Sequence, residues 1–261
     1  MLASERQARI LDEVKRRGAV RVAVLSDILG VSDMTIRRDL DVLASQGLLD
    51  KVHGGATAPA PLSTHEPGFE AKWVRQQDEK AAIARAAARL VEPGMAIGLS
   101  AGTTTWALAQ RLTEVPQLTV VTNSMQVAQV FQGVTPSGRT VILTGGVRTP
   151  SDALVGPVAV AALRQLHLDL LFLGVHGMTE RAGFSTPNLL EADVNRAFVE
   201  AAHRLVVLAD HTKWGQVGLS TIAPLDAADF VISDTGLDRA DQNRLREIVG
   251  DLHLVDPGEP T

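Results

Sequence analysis

The 261-residue sequence contains no cysteine. Without thiols there is no disulfide framework and no thiolate metal site, which suits a reducing cytoplasm. Aromatic residues make up only 3%, too few for the stacking platforms that bind single-stranded nucleic acid. No apolar run is long enough to span a bilayer, and the N-terminal residues read as a charged amphipathic helix, not as a signal peptide, so a cytoplasmic protein without membrane partners is expected. His65, His167 and His203 lack metal-ligand spacing, and neither a metal nor another cofactor is expected. A surplus of positive charge is also missing. The net charge is −5, with +1 carried by residues 1–57 and −6 by the remainder. Any affinity for DNA must come from where Arg37, Arg38, Arg21 and Lys51 are placed and from pairing of two copies, since bulk charge does not supply it.

What is present is organised around the segment Val31-Ser32-Asp33-Met34-Thr35-Ile36-Arg37-Arg38-Asp39-Leu40. Ser32 is a good helix N-cap. Ile36, Leu40 and Leu43 follow on one helical stripe, while Met34, Arg37, Arg38 and Asp41 point away from it and Thr35 flanks it. One face is built for a core, and the other offers guanidiniums, a hydroxyl and a thioether, the groups a major-groove recognition helix uses. Asp39 is expected to orient Arg37 or Arg38, because a carboxylate beside phosphate is repelled. Upstream, Ser4-Glu5-Arg6-Gln7 reads as a capping box opening a helix whose stripe is Ile10, Leu11 and Val14 and whose stop is Gly18. A second helix is expected from about Val22 to Leu29, ending at Gly30. Gly47 closes the third, Leu48–Val52 reads as a strand, and Gly54-Gly55 as a tight turn into another. Three short helices and a hairpin make a winged helix-turn-helix.

This stretch, above all Gly30-Val31-Ser32, Met34 through Leu40 and His53-Gly54-Gly55-Ala56, resembles the DNA-binding domain of the DeoR family of bacterial transcription regulators. The resemblance implies DNA contacts from Ser32, Met34, Thr35, Arg37 and Arg38, and a wing formed by His53, Gly54 and Gly55.

Residues 58–68, with Pro59, Pro61 and Pro67 among small polar residues, read as a linker between a winged domain at 1–57 and a second domain at 69–261. After a helix from about Phe69 or Asp78 to Leu90, apolar β-branched runs recur at Met95–Leu99, Leu118–Thr122, Thr140–Leu143, Leu170–Leu173, Leu205–Leu208, Phe230–Ile232 and Leu252–Val255. Amphipathic segments lie between most of them: Thr104–Leu112, Met125–Phe131, Pro157–Leu166, Leu189–Ala202 and Asp238–Ile248. Short apolar strands alternating with helices argue for an α/β domain with a mostly parallel sheet covered on both faces.

Ligands in such sheets bind at the carboxyl ends of the strands, where this chain collects its polar residues. Met95–Leu99 runs into Ser100-Ala101-Gly102-Thr103-Thr104-Thr105 and then a helix, the ingredients of an anion site, although threonines before a helix also serve as caps. Asn123, Gly145-Gly146, His176, Asp210 and Lys213 follow other strands, and five such ends favour one shared cleft. His176 suits either a ligand or a backbone partner. Glu191 and Asp193 lie on a helix within reach of the cleft, although a solvated helix face suits them better, and Trp73, Trp106 and Trp214 read as core or interface anchors.

These positions resemble the sensor domain of the same family, whose fold is like that of ribose-5-phosphate isomerase and the CoA-transferase group. The resemblance implies a phosphorylated sugar effector, held at its phosphate by Gly102, Thr103 and Thr104 and reached by Lys213, with Ser100, Ala101, Asn123, Gly145, Gly146, His176 and Asp210 around it. Two positions depart from the family's pattern: Ser100 stands where many relatives have Asp, and Lys72 where they often have Arg. The function implied is that of a non-enzymatic regulator of carbohydrate genes, a repressor, binding double-stranded operator DNA as a homo-oligomer, dimer or tetramer. The alternative is a sugar-phosphate isomerase fused to a DNA-binding domain, with Asp210 or Glu191 as the base that Ser100 cannot be.

Overall fold

The computed structural model describes residues 3–45, 48–52, 54–57, 64, 68–133 and 138–258. The expected helix stop at Gly47, the wing residue His53, His65 and most of the linker at 58–68 lie outside the described residues. The chain divides into two compact units, residues 1–62 and 63–261.

In the first unit, α1 (Ala3–Arg17), α2 (Val22–Leu29) and α3 (Asp33–Ser45) surround one core of Ile10, Val14, Leu25, Ile36, Leu40 and Leu43. The helix α1 already includes Ser4, so the first turn begins one residue before the expected cap. Gly18 (φ +74°) and Gly30 (φ +65°) end α1 and α2 in the left-handed conformation that glycine adopts without strain. Ser32 caps α3, accepting the Thr35 amide on its hydroxyl at 3.4 Å. Sequence reading overlooked β1 (Ala19–Arg21), which forms a three-stranded sheet with β2 (Asp50–Val52) and β3 (Gly55–Thr57) in the order β1-β3-β2. Val20 lies opposite Ala56, and both are buried, so the wing's root is sealed to the helical core.

The second unit starts with two helices where one was expected, α4 (Phe69–Trp73) and α5 (Gln77–Ala88), separated by a corner at 74–76. All seven expected strands form, as β4 (Ala96–Leu99), β5 (Thr119–Thr122), β6 (Thr140–Leu143), β9 (Leu168–Gly174), β12 (Ala202–Leu208), β14 (Phe230–Asp234) and β15 (Asp251–Val255). They make one sheet in the order β15-β14-β12-β9-β4-β5-β6, parallel throughout. The helices α5, α6 (Thr103–Arg111) and α7 (Met125–Val130) cover one face. The other carries α8 (Pro157–Leu163), α9 (Leu189–Ala201) and α10 (Arg239–Ile248). In β9, Leu170 and Phe172 enter the first layer and Leu171 and Leu173 the second, the period-two alternation of a strand buried on both sides.

Above the strand ends lies a layer that sequence reading left as loops. It holds the hairpin of β7 (Val147–Arg148) and β8 (Leu154–Val155), and an antiparallel sheet of β10 (Gly177–Thr179), β11 (Gly183–Thr186) and β13 (Ser220–Ala223). Strand order fixes where a ligand belongs. From β4 the chain builds outward through β5 and β6, then returns to β9 on the other side of β4 and builds outward through β12, β14 and β15. The two halves therefore part between the ends of β4 and β9, a topological switch point, and crevices open at such points.

Phe198 of α9 is fully buried and packs where Gly98 of β4 leaves room: a Cβ on Gly98 would stand 3.2 Å from its ring. Phe198→Ala is expected to cost about 3–5 kcal/mol through lost burial and a cavity. Because the 1–62 unit has its own core, calorimetry should show the transition of the larger unit falling while that of the winged unit stays in place.

Candidate functional site

On α3, Ile36, Leu40 and Leu43 are buried and Met34, Arg37 and Arg38 are exposed, with Met34 at 73%. Neither arginine enters the ion pairs of the described residues. Asp39 does not orient them. It is buried against α1, where it accepts the Arg6 guanidinium at 2.5 and 3.2 Å and the Gln7 amide at 3.1 Å. Helical geometry explains the correction: Asp39 falls on the flank facing α1, beside Ile36 and Leu40, and only a partner carrying charge can accompany a carboxylate there. Lys51 is ion-paired to Asp41 of α3, which ties β2 to that helix and removes Lys51 from the uncommitted cations. The two wing glycines differ. Gly54 is exposed at φ +78°, whereas Gly55 is buried where a Cβ would meet the Val20 carbonyl oxygen at 2.3 Å. Gly55 therefore serves the sheet, and Gly54 is the wing glycine that faces solvent.

In the second unit the ends of β4 and β9 are stitched together. Ser100 is fully buried, and its hydroxyl accepts the Gly174 amide at 3.0 Å. The Ala101 amide donates to the Asn123 side-chain oxygen at 2.9 Å, while the Asn123 NH2 donates to the Leu154 carbonyl at 3.2 Å. Asn123 was expected to line the cleft; with 1% exposure and both ends of its amide engaged, it clamps the backbone of two loops. Gly102 has an extended backbone (φ 168°), so glycine is required there for space: a Cβ would stand 3.2 Å from the Thr105 hydroxyl. That hydroxyl donates to the Ser100 carbonyl at 2.7 Å.

Thr103 and Thr104, at the start of α6, are 6% and 8% exposed, yet neither hydroxyl bonds to another described residue. The first intrahelical bond of α6 is Trp106 N–H to Gly102 C=O, so the amides before Trp106 have no carbonyl within the helix. Two hydroxyls and free amides at the positive end of a helix suit an anion. Gly145 (φ +74°) and Gly146 (φ +118°) turn the chain from β6 into the hairpin. A Cβ on Gly146 would meet the Val155 carbonyl oxygen at 2.4 Å, so its role is close approach. His176 stands in the β9–β10 connection, its amide bonded to the Ser185 carbonyl at 3.1 Å.

Beside β9, the end of β12 carries Asp210 and Lys213. Asp210 is buried and caps the short 3-10 turn His211–Lys213 by accepting the Thr212 amide at 3.0 Å. Lys213 is half-buried. Three groups have duties that the sequence did not reveal. The first is Lys80, 4% exposed, whose ammonium donates to the carbonyls of Lys72 and Arg75, both at 2.5 Å. Burial lowers its pKa to about 8; Asp210 opposes that shift, and Lys213 and Arg75 add to it. It therefore stays largely charged at neutral pH, at a cost to folding that fades as pH rises above about 8. Its signal was register: Lys80, Ile83, Ala84 and Ala87 share one helical stripe.

The second is the His211–Asp234 pair. The imidazole Nδ1 lies 2.7 Å from an Asp234 oxygen, and the His211 amide donates to the other at 2.8 Å. A Cβ on Gly236 would fall 2.6 Å from Nδ1, so the ring occupies space that only glycine leaves. The hydrogen bond to Asp234 raises the His211 pKa, outweighing the opposite effect of burial. Burial raises the Asp234 carboxyl, but bonds from His211 and Gly236 outweigh it and hold the group below its ordinary value.

The third is Glu191, which is not solvated: it accepts hydroxyls from Thr149 (3.1 Å), Ser151 and Thr186 (3.3 Å). Asp193, one turn position away, is exposed and paired with Arg196 at 2.6 Å. No group of acidic or histidine side chains able to hold a metal occurs among the described residues. No helix among them is long and apolar enough to cross a membrane.

Since the pair raises the imidazole, its contribution to stability is complete below about pH 6.5 and is lost as pH rises through the raised value. Asp234→Asn removes the acceptor charge. NMR titration should then show His211 moving down toward its ordinary value, with the other histidines unchanged.

The geometry agrees with comparisons to known proteins. Residues 6–61 match the family model of the DeoR-like helix-turn-helix domain, and residues 75–235 match that of the DeoR C-terminal sensor domain. The chain is 40% identical over 256 residues to the HTH-type transcriptional regulator YgbI of Escherichia coli (strain K12), covering 98% of both. It is 35% identical to the HTH-type transcriptional regulator GolR of Listeria innocua (92% of this chain, 94% of the relative). With the transcriptional repressor AccR of Agrobacterium fabrum it shares 30% identity (89% and 90%). Among solved structures it is similar to ribose 5-phosphate isomerase A from Methanocaldococcus jannaschii, with TM-score 0.38, 19% identity and 53% and 54% of the two chains covered. With a translation initiation factor eIF-2B from Pyrococcus horikoshii OT3 the values are 0.41, 13%, 82% and 74%. An exposed arginine face on a capped helix and a parallel sheet with a switch point between β4 and β9 thus occur in one chain, which belongs to the DeoR family of DNA-binding transcription regulators.

Proposed function

We propose that the protein is a cytoplasmic repressor of carbohydrate genes, released from or held on its operator by a phosphorylated sugar bound at the strand ends of the second unit. Residues 1–57 read DNA, 58–68 connect, and 69–261 bind effector and hold copies together. The observation that carries the reading is the pair Thr103 and Thr104, residues nearly buried as a whole, whose hydroxyls form no bond to a described residue at the N-terminus of α6, beside the switch point. Lys213 after β12 supplies positive charge from a neighbouring strand end, and Lys80 supplies it from the first turn of α5. AccR, named as a transcriptional repressor, supports the sign of regulation.

Binding without turnover is supported by the state of the carboxylates. Isomerisation needs a base beside the sugar carbon. Ser100 is engaged with Gly174, Asp210 caps its own turn, and Glu191 already accepts three hydroxyls. A homo-oligomer follows from the charge of the winged segment: at +1, one copy neutralises few phosphates, and two winged units on adjacent half-sites double the contacts.

Thr103→Ala and Lys213→Ala test the pocket. Loss of a hydrogen bond to a charged group, worth roughly 1.5–3 kcal/mol, should weaken sugar-phosphate binding about 10- to 100-fold by calorimetry. DNA affinity without ligand should be unchanged. A wild-type response from both variants removes the pocket from these residues.

Arg37→Ala and Arg38→Ala test the recognition helix. A guanidinium on a base costs about 1–3 kcal/mol of discrimination when removed, and one on a phosphate lowers the salt slope by about one. Gel shifts across a salt series should show one or the other in each variant, with ligand binding intact.

A further inference from the structure

The helix α4 is tied to the candidate effector site at several points, and it directly follows the connection to the DNA-binding unit. At its C-terminal end, the Lys80 ammonium holds the carbonyls of Lys72 and Arg75. These are acceptors at the negative end of a helix and in the corner beyond it. That corner contains Gln76 at φ 45°, ψ 48°, a left-handed conformation unfavourable for a residue with a side chain. Gln76 also makes no side-chain cap for α5. On its flank, Phe69 and Trp73 meet Trp106 edge-on, with centroids 6.1 and 4.5 Å apart. Trp106 is the residue whose amide closes the first turn of α6 on Gly102. At its start, Gly68 lies beside Pro150, where a Cβ would be 3.5 Å from the carbonyl oxygen. Pro150 sits between Thr149 and Ser151, the hydroxyls that hold Glu191.

We propose that the α4 corner is a latch: Lys80 is shared between the carbonyls of Lys72 and Arg75 and an anionic effector at Thr103, Thr104 and Lys213, so that effector binding loosens α4 and changes the tether of the DNA-binding unit. The inference rests on the reading of that strand end as an anion site. A hydrogen bond from an ammonium to a phosphate oxygen is stronger than one to a neutral carbonyl, so a bound phosphate competes for Lys80 on favourable terms. With Lys80 drawn away, the corner loses the two ammonium bonds that help hold Gln76 in its left-handed conformation, and it opens. The effector then binds the open and closed corners with different affinity, the condition for any ligand to shift an equilibrium. Space for the movement exists: Trp73 and Lys80 border a groove of about 630 Å³ between α5 and α6.

Two substitutions in the full-length protein push the latch in opposite directions. Lys80→Met keeps the length of the side chain and removes the ammonium. Gln76→Gly removes the strain and favours the closed corner. Without any ligand, Lys80→Met should speed hydrogen exchange of the 69–76 amides and change affinity for the gene's upstream DNA by about tenfold or more. Gln76→Gly should slow the same exchange and move DNA affinity the other way. In the wild type, inorganic phosphate, compared with chloride at equal ionic strength, should raise the melting temperature and speed exchange at 69–76.

Unchanged exchange in Lys80→Met overturns the latch, as does faster exchange with unchanged DNA affinity. If Lys80→Met does not fold, Gln76→Gly decides, and wild-type exchange and DNA affinity in that variant overturn the proposal. If phosphate stabilises the protein but leaves the corner untouched, Lys80 is not shared and the proposal fails. If phosphate does neither while both variants behave as stated, the anion-site reading falls and the role of α4 stands.

Discussion

Where the two halves of the parallel sheet part, the ladder of backbone hydrogen bonds ends and the freed amides need other partners. That constraint shapes the second unit. The Gly174 amide turns to the Ser100 hydroxyl, the Ala101 amide to Asn123, and the Ser100 carbonyl receives Thr105. Each side chain is short and buried, so each bond fixes a loop closely. Once they are made, the hydroxyls of Thr103 and Thr104 and the first amides of α6 are among the polar groups left over at this end of the described structure. The site is what remains when the backbone has been satisfied. It is also why a serine at position 100 is a structural residue here: it does with a hydroxyl what a carboxylate would do only with a charge to neutralise.

The same economy explains how much could be read in advance. The seven parallel strands were legible because strands buried on both faces are continuous apolar runs, and the helices between them because α5 to α10 each keep a stripe toward the sheet. The helix-turn-helix was legible for the same reason, helped by Gly30 and Ser32. The strands β1, β7, β8, β10, β11 and β13 were not. They are two to four residues long, and their burial depends on partners distant in sequence. Val20 reads as one more apolar residue until Ala56 is set across from it.

The site divided along the same line. The residues that form it were visible as clusters at strand ends, but their duties depend on non-local contacts. Asn123 looks like a lining residue and acts as a clamp, and Gly146 looks like one and serves close approach to Val155. Lys80 looks like a solvated lysine in the first turn of a helix and lies under the α4 corner. Glu191 takes its hydroxyls from residues 149, 151 and 186, outside its own helix. Asp39 looked local to the arginines beside it and is spent on a guanidinium 33 residues away.

That last bond separates two jobs that recognition helices often mix. With Asp39 turned inward to Arg6 and Gln7, the pose of α3 is set from behind, by α1 and by the stripe of Ile36, Leu40 and Leu43. Among the described residues, Met34, Arg37 and Arg38 are then left exposed and outside the ion pairs, whereas Thr35 still serves the cap, its hydroxyl 3.0 Å from that of Ser32. On the proposed reading of α3, exchanging Met34, Arg37 and Arg38 changes what the helix presents while the scaffold that holds it, Asp39 on Arg6 and the apolar stripe, stays as it is.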